Sequence, residues 1–114
     1  MYTLESHFSG RPEVLKNIVD KIITHAESFG EVHISSVKNA VLISSVSTFL
    51  ALKVKKDRVE IEFVLSETRE GFPVYKVVRV SKNRVAHFVA VGSLEEVDDY
   101  LLGLIRKAYQ VVSY

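Results

Sequence analysis

The sequence predicts an α+β fold. Helices at its two ends should cover one face of a five- or six-stranded antiparallel meander, giving a two-layer sandwich. Three observations predict it. Apolar residues recur at three- and four-residue steps near both ends, they recur at every second residue between, and the breaks between the alternating runs are short. Two helices with one apolar stripe each need a common surface, and one face of a sheet supplies it. The 114 residues are read as a single domain, 1–114.

The first helix opens at Phe8-Ser9-Gly10-Arg11-Pro12-Glu13. Proline suits a first helical turn because its missing N–H would have no partner there. With Gly10 as the cap, Glu13 stands at the third helical position. Val14, Leu15, Ile18, Val19, Ile22, Ile23, Ala26 and Phe29 form the apolar stripe, and Lys16, Asp20, Lys21, Thr24 and Glu27 face outward. Gly30 is placed to stop the helix in a left-handed conformation.

From Glu31 to Gly92 the period falls to two. Strands are expected over Val32–Val37, Ala40–Ser44, Thr48–Lys55, Arg58–Leu65, Val74–Val80 and Arg84–Val91. Lys38-Asn39, Ser45-Val46-Ser47, Lys56-Asp57, the polar loop Ser66–Pro73 and Ser81-Lys82-Asn83 separate them. In the fourth run Val59, Ile61, Phe63 and Leu65 point one way while Arg58, Glu60 and Glu62 point the other, the pattern of a half-buried antiparallel strand. The face away from the helices is expected to carry Glu60, Glu62, Lys53 and Lys55, with Arg79 as a further candidate.

The last strand and helix form the clearest unit. Between Val85 and Val91 the only polar residue is His87. Ser93 precedes Glu96 by the capping-box spacing, and Glu95, Glu96, Asp98 and Asp99 follow where the helix dipole favours negative charge. Leu94, Val97, Leu101, Leu104, Ile105, Ala108 and Val112 then make one apolar stripe.

Composition narrows the function classes. The formal net charge is +1, so the chain as a whole has no strong attraction for polyanions. The absence of cysteine excludes a disulfide framework and thiolate metal sites and suits a reducing, cytoplasmic location. No apolar run approaches the roughly 20 residues of a membrane span, and Met1 to His7 lack the pattern of a secretory leader.

Two end segments resemble a known family. Phe8-Ser9-Gly10-Arg11-Pro12-Glu13 is similar to its Phe-x-Gly-Arg/Lys-Pro-Glu opening. Arg84-Val85-Ala86-His87-Phe88, Ser93-Leu94-Glu95-Glu96-Val97-Asp98-Asp99 and Arg106-Lys107-Ala108-Tyr109 are similar to its closing pattern. The family is the uncharacterised bacterial domain-of-unknown-function 5655 family. Its members occur as short stand-alone proteins, and related domains end larger proteins labelled predicted transport or nuclease-like. The middle departs from the family's pattern of a Lys-Ser or Lys-Thr pair leading into an arginine-rich strand: here Lys38-Asn39-Ala40-Val41 and then Ser44-Ser45 carry no arginine. The resemblance implies the fold and brings no established activity.

Candidate chemistry is sparse. His87 is a histidine in an apolar strand, read either as satisfied by a backbone carbonyl or as a base oriented by Asp98 or Asp99. A nucleophile to complete such a site is missing: Ser44, Ser45, Ser47 and Ser81 are loop serines without a strained elbow. His7, His25 and His33 lack metal-ligand spacing, and Gly10, Gly30, Gly71, Gly92 and Gly103 are isolated, so no metal, phosphate loop or cofactor is expected. Nine of the fifteen basic residues fall between Lys53 and Arg84 against five acids there, an excess of +4. Lys53, Lys55, Lys56, Arg58, Arg79 and Arg84 are the candidate phosphate contacts, with Phe49, Phe63, Phe72, Tyr75 and Phe88 as stacking platforms where exposed. The expected function is a non-catalytic binding or accessory module. The alternatives are weak nucleic-acid contact through the basic hairpins and an enzyme using His87 as base. Free sheet edges make a homo-oligomer the expected assembly.

Overall fold

The computed structural model describes residues 3–113, so Met1 and Tyr2 of the N-terminal stretch lie outside the described residues. A short 3-10 turn (Leu4–Phe8) leads into α1 (Glu13–Glu27). Six strands follow: β1 (His33–Val37), β2 (Ala40–Ser44), β3 (Thr48–Val54), β4 (Val59–Leu65), β5 (Lys76–Ser81) and β6 (Arg84–Val91). A second 3-10 turn (Leu94–Glu96) leads into α2 (Asp99–Ser113). All pairings are antiparallel, in the order β1-β2-β3-β4-β6-β5.

The layering follows from the alternation. Register sets Leu52 beside Ile61 and Ile61 beside Val89, and Leu50 beside Phe63. These side chains are buried under both helices, against Ile18, Val19 and Ile22 of α1 and Leu101, Leu104 and Ile105 of α2. The intervening residues, including Lys53 opposite Glu60, lie on the face away from the helices. The fold is the α+β sandwich that the periodicity predicts.

The meander runs without interruption only through β4. Segment 66–75 then carries the chain past one strand position, so β6 lies beside β4 and β5 becomes the edge. Since β4 and β5 are each antiparallel to β6, they run in the same direction, and a parallel pair needs a crossover rather than a hairpin. Arg79 consequently moves from its expected face. It opposes Val85, which opposes Leu65, so it belongs to the helix-side face at the sheet edge. Its guanidinium turns back onto the carbonyls of Ser81 and Lys82, at 3.3 and 2.9 Å.

Register also shows a bulge. One step on β2, Ile43 to Ser44, faces two steps on β3, Leu50 to Thr48. The extra residue lets Phe49 and Leu50 both turn inward, and Phe49 meets Tyr109 of α2 edge-on at 5.5 Å.

Both helix starts differ from the sequence reading. Ser9 (φ −59°, ψ 123°), Gly10 (φ +71°) and the bond from Arg11 N–H to the Phe8 carbonyl at 3.0 Å define a type II turn, with glycine where φ must be positive. Gly10 therefore shapes this turn, and Pro12 is the residue that precedes α1. At the other helix, the Glu96 carboxylate takes the Gly92 and Ser93 N–H groups, at 2.8 and 3.1 Å, and closes the 3-10 turn. Asp98 is the side chain that caps α2, accepting from Leu101 N–H at 2.9 Å. Leu94, expected in the apolar stripe, is consequently exposed.

Candidate functional site

His87 was the strongest single candidate in the sequence. It opposes Phe63 in the β4–β6 register, on the helix-side face, and its ring stacks on that phenyl with planes 9° apart. Segment 66–75 covers it, and the residue is 0% exposed. One ring nitrogen, Nδ1, lies 2.9 Å from the Val85 carbonyl and donates to it. The other, Nε2, accepts the Arg69 backbone N–H at 2.9 Å. That pair of partners defines a neutral imidazole protonated on Nδ1. Burial is the main cause that lowers the His87 pKa from its ordinary value; the Val85 bond opposes the shift and the Arg69 charge adds to it. Asp98 spends its carboxylate on the α2 cap, and Asp99 is the first residue of that helix. With both ring nitrogens on backbone partners, the arrangement holds the crossover against β6.

A cleft of about 500 Å³ adjoins this crossover, between it and the end of α2. Arg69 and Lys107 share its lining with Glu67, so its charge is mixed. A second cleft, of about 310 Å³, lies at the far side of the sheet and has a different character. Three separated segments converge on it: Ser6 to Arg11, the β1–β2 turn Lys38-Asn39, and the end of β3 from Lys53 to Lys55. Arg11, Lys38, Lys53 and Lys55 line it, with His7 beside them and no acidic residue in its wall. Ser6, Ser9 and Asn39 add neutral hydrogen-bonding groups.

The local sequence explains why these groups meet. Leu4 and Phe8 pack against the core, which anchors the N-terminal turn to the body of the protein. Thr3 caps that turn, its hydroxyl accepting the Ser6 N–H at 3.2 Å. His7 Nε2 and the Ser36 hydroxyl, 2.8 Å apart, tie the turn to β1. The type II turn at Ser9-Gly10 then brings Arg11 to the cleft. Among the described residues the ion pairs are Arg58 with Asp57 and Arg58 with Glu60, both at 3.0 Å, and neither involves a cleft cation.

The six basic candidates from the sequence are thus divided. Lys53 and Lys55 line the cleft, while Lys56 lies on the adjoining β3–β4 turn. Hydrogen bonds to Glu60 and Asp57 hold the Arg58 guanidinium charged and occupy it. Arg79 and Arg84 belong to the β5–β6 hairpin. The aromatics divide as well: Phe49 and Phe63 are core residues, while Phe72 and Tyr75 are exposed and Phe88 is half-buried beneath Lys76. Arg11 and Lys38, which complete the cleft, lay outside the basic segment that the sequence singled out. In the sequence their signal is the Gly10-Arg11-Pro12 turn and the Lys38-Asn39 hairpin, which serve equally as structural punctuation.

A family model described as a domain of unknown function, DUF5655, matches residues 4–112. The chain belongs to this family. The match spans α1, all but the last residue of α2, the whole sheet and every residue of the basic cleft. No curated protein and no solved structure matches this DUF5655 chain.

Among the described residues no group of three or more histidine, cysteine, aspartate or glutamate side chains is placed to hold a metal ion. Among the described residues no helix is long and apolar enough to cross a membrane.

Proposed function

We propose that this DUF5655 chain is a non-catalytic binding module whose ligand is anionic and occupies the cleft between the N-terminal turn, the β1–β2 turn and the end of β3. One observation carries the reading: four formal cations, Arg11, Lys38, Lys53 and Lys55, share a wall that contains no acid. Placing like charges together is unfavourable unless a counter-charge relieves them. Hydroxyl and amide groups of Ser6, Ser9 and Asn39 add bonds that fix a ligand's orientation. His87 supports the non-catalytic part of the reading, because both of its nitrogens are already engaged by backbone.

Calorimetric titration with multivalent anions at low ionic strength tests this. Saturable binding that weakens with added salt, and that Arg11→Gln or Lys38→Gln diminishes, is the expected result. Binding unaffected by either substitution would place the ligand elsewhere.

A further inference from the structure

We infer that the ligand of the basic cleft is a compact phosphorylated molecule, recognised by one phosphate or diphosphate group, and not a nucleic-acid strand. The inference rests on the anionic reading above and narrows it. A tetrahedral phosphate presents oxygens in several directions, whereas a carboxylate presents two in one plane. The donors here stand on three separate segments around one cleft: Arg11 on the N-terminal turn, Lys38 on the β1–β2 turn and Lys55 at the end of β3. Their summed charge exceeds what a single carboxylate neutralises and suits a dianion or a diphosphate.

Geometry argues against a polymer. Single-stranded nucleic acid is held along a continuous basic groove with aromatic rings interleaved for stacking. Among the described residues the cleft wall has Val54 as its apolar member and no phenylalanine, tyrosine or tryptophan ring, and the His7 imidazole that lines it is tied to the Ser36 hydroxyl. The exposed rings among the described residues, Phe72, Tyr75 and Tyr100, belong to the crossover segment beside β6 and to the first turn of α2, and none of them lines the cleft. Of the remaining basic candidates, Lys56 on the adjoining β3–β4 turn stands next to the cleft, and the others do not extend it into a track. Arg58 is paired with Asp57 and Glu60, Arg79 is turned onto the Ser81 and Lys82 carbonyls, and Arg84 opposes Ser81 at the opposite end of the strands. A volume of about 310 Å³ lies at the small end of ligand sites, which run from roughly 300 to 1,000 Å³.

The test titrates the full chain at low ionic strength with sodium pyrophosphate, with citrate, and with oligothymidylates of about five and about twenty nucleotides. Pyrophosphate should bind once per chain and displace both oligonucleotides. Citrate should bind at least about tenfold more weakly, the scale of one lost charge-assisted bond. The longer oligonucleotide should gain over the shorter only by its number of equivalent sites. Lys38→Gln and Arg11→Gln, both at exposed turn positions, should each weaken pyrophosphate about tenfold or more, while Lys56→Gln on the neighbouring turn leaves it unchanged. A long oligonucleotide that binds far more tightly than the short one, and resists pyrophosphate, would overturn the small-ligand inference and leave the anionic cleft standing. Citrate matching pyrophosphate would overturn the phosphate assignment alone. Failure of every anion to bind would remove both readings.

Discussion

The backbone N–H of Arg69 donates to Nε2 of His87 across 2.9 Å, and through it the β4–β5 crossover is fastened to β6. A segment that passes over a sheet leaves amides facing an apolar surface, and an unpaired buried amide costs about 1–3 kcal/mol. His87→Phe keeps an aromatic ring beside Phe63 but removes the acceptor. It should destabilise the fold by about that amount and raise hydrogen exchange across residues 66–75. Denaturant titration with amide exchange checks both. An unchanged exchange pattern would show that the imidazole does not hold the crossover.

The same bond gives the protein an acid-sensitive point. Burial lowers the pKa of His87 in the folded state below its value in the unfolded chain, about 6.5. Above that value both states are neutral and this group adds no pH dependence. As pH falls through about 6.5 the unfolded chain takes up the proton first, so stability declines until the folded pKa is reached and then levels off. Urea midpoints measured from pH 8 to pH 5 should show this decline, and His87→Gln should lack that component. A decline of equal size in the variant would assign it to other groups.

The periodicities carried most of the fold because they report burial directly. The boundaries of β2 and β6 agree with the alternation residue for residue, and the stripe Leu15, Ile18, Val19, Ile22, Ile23 and Ala26 is buried as a set. Strand order was less legible, since alternation says which face a residue takes and not which strand lies next to it. The length of segment 66–75 held the missing information: hairpin loops commonly take 2–5 residues, and a crossover needs more. The cleft was legible only in part. Lys53 and Lys55 could be read from charge density, but Arg11 and Lys38 meet them only through tertiary structure. Lys21 shows the same limit. It reads as a solvated face residue, yet its ammonium donates to the Val97 carbonyl at 2.8 Å and ties α1 to the approach to α2.

Gly30 tests the packing between the helix layer and the sheet edge. Its φ of +153° is one that residues with side chains rarely adopt, and an added Cβ would lie 2.6 Å from the Tyr109 hydroxyl. Tyr109 itself is wedged between Phe29 and Phe49, with centroids at 5.3 and 5.5 Å. Gly30→Ala should cost about 1–3 kcal/mol from backbone strain, with a further loss from the contact. Adding Tyr109→Phe should recover only the contact share. A double-mutant cycle by thermal or chemical denaturation separates the two, and full recovery would assign the whole cost to the hydroxyl.

Two capping signals stand in tandem before α2, and they should differ in weight. Ser93 and Glu96 close a single 3-10 turn, whereas the Asp98 carboxylate accepts from Leu101 N–H at the start of the fifteen-residue helix that carries Leu101, Leu104 and Ile105 into the core. Loss of a helix cap costs about 0.5–2 kcal/mol. Asp98→Ala should therefore lower stability by about 1 kcal/mol, and Asp98→Asn should retain most of it because the amide oxygen still accepts. Ser93→Ala should have a smaller effect, since it removes the hydroxyl's bond to the Glu96 carboxylate but leaves the two shorter bonds from the Gly92 and Ser93 N–H groups to that carboxylate. Denaturant midpoints of the three variants rank the two signals. A larger loss at Ser93 than at Asp98 would return the start of the helix to Ser93.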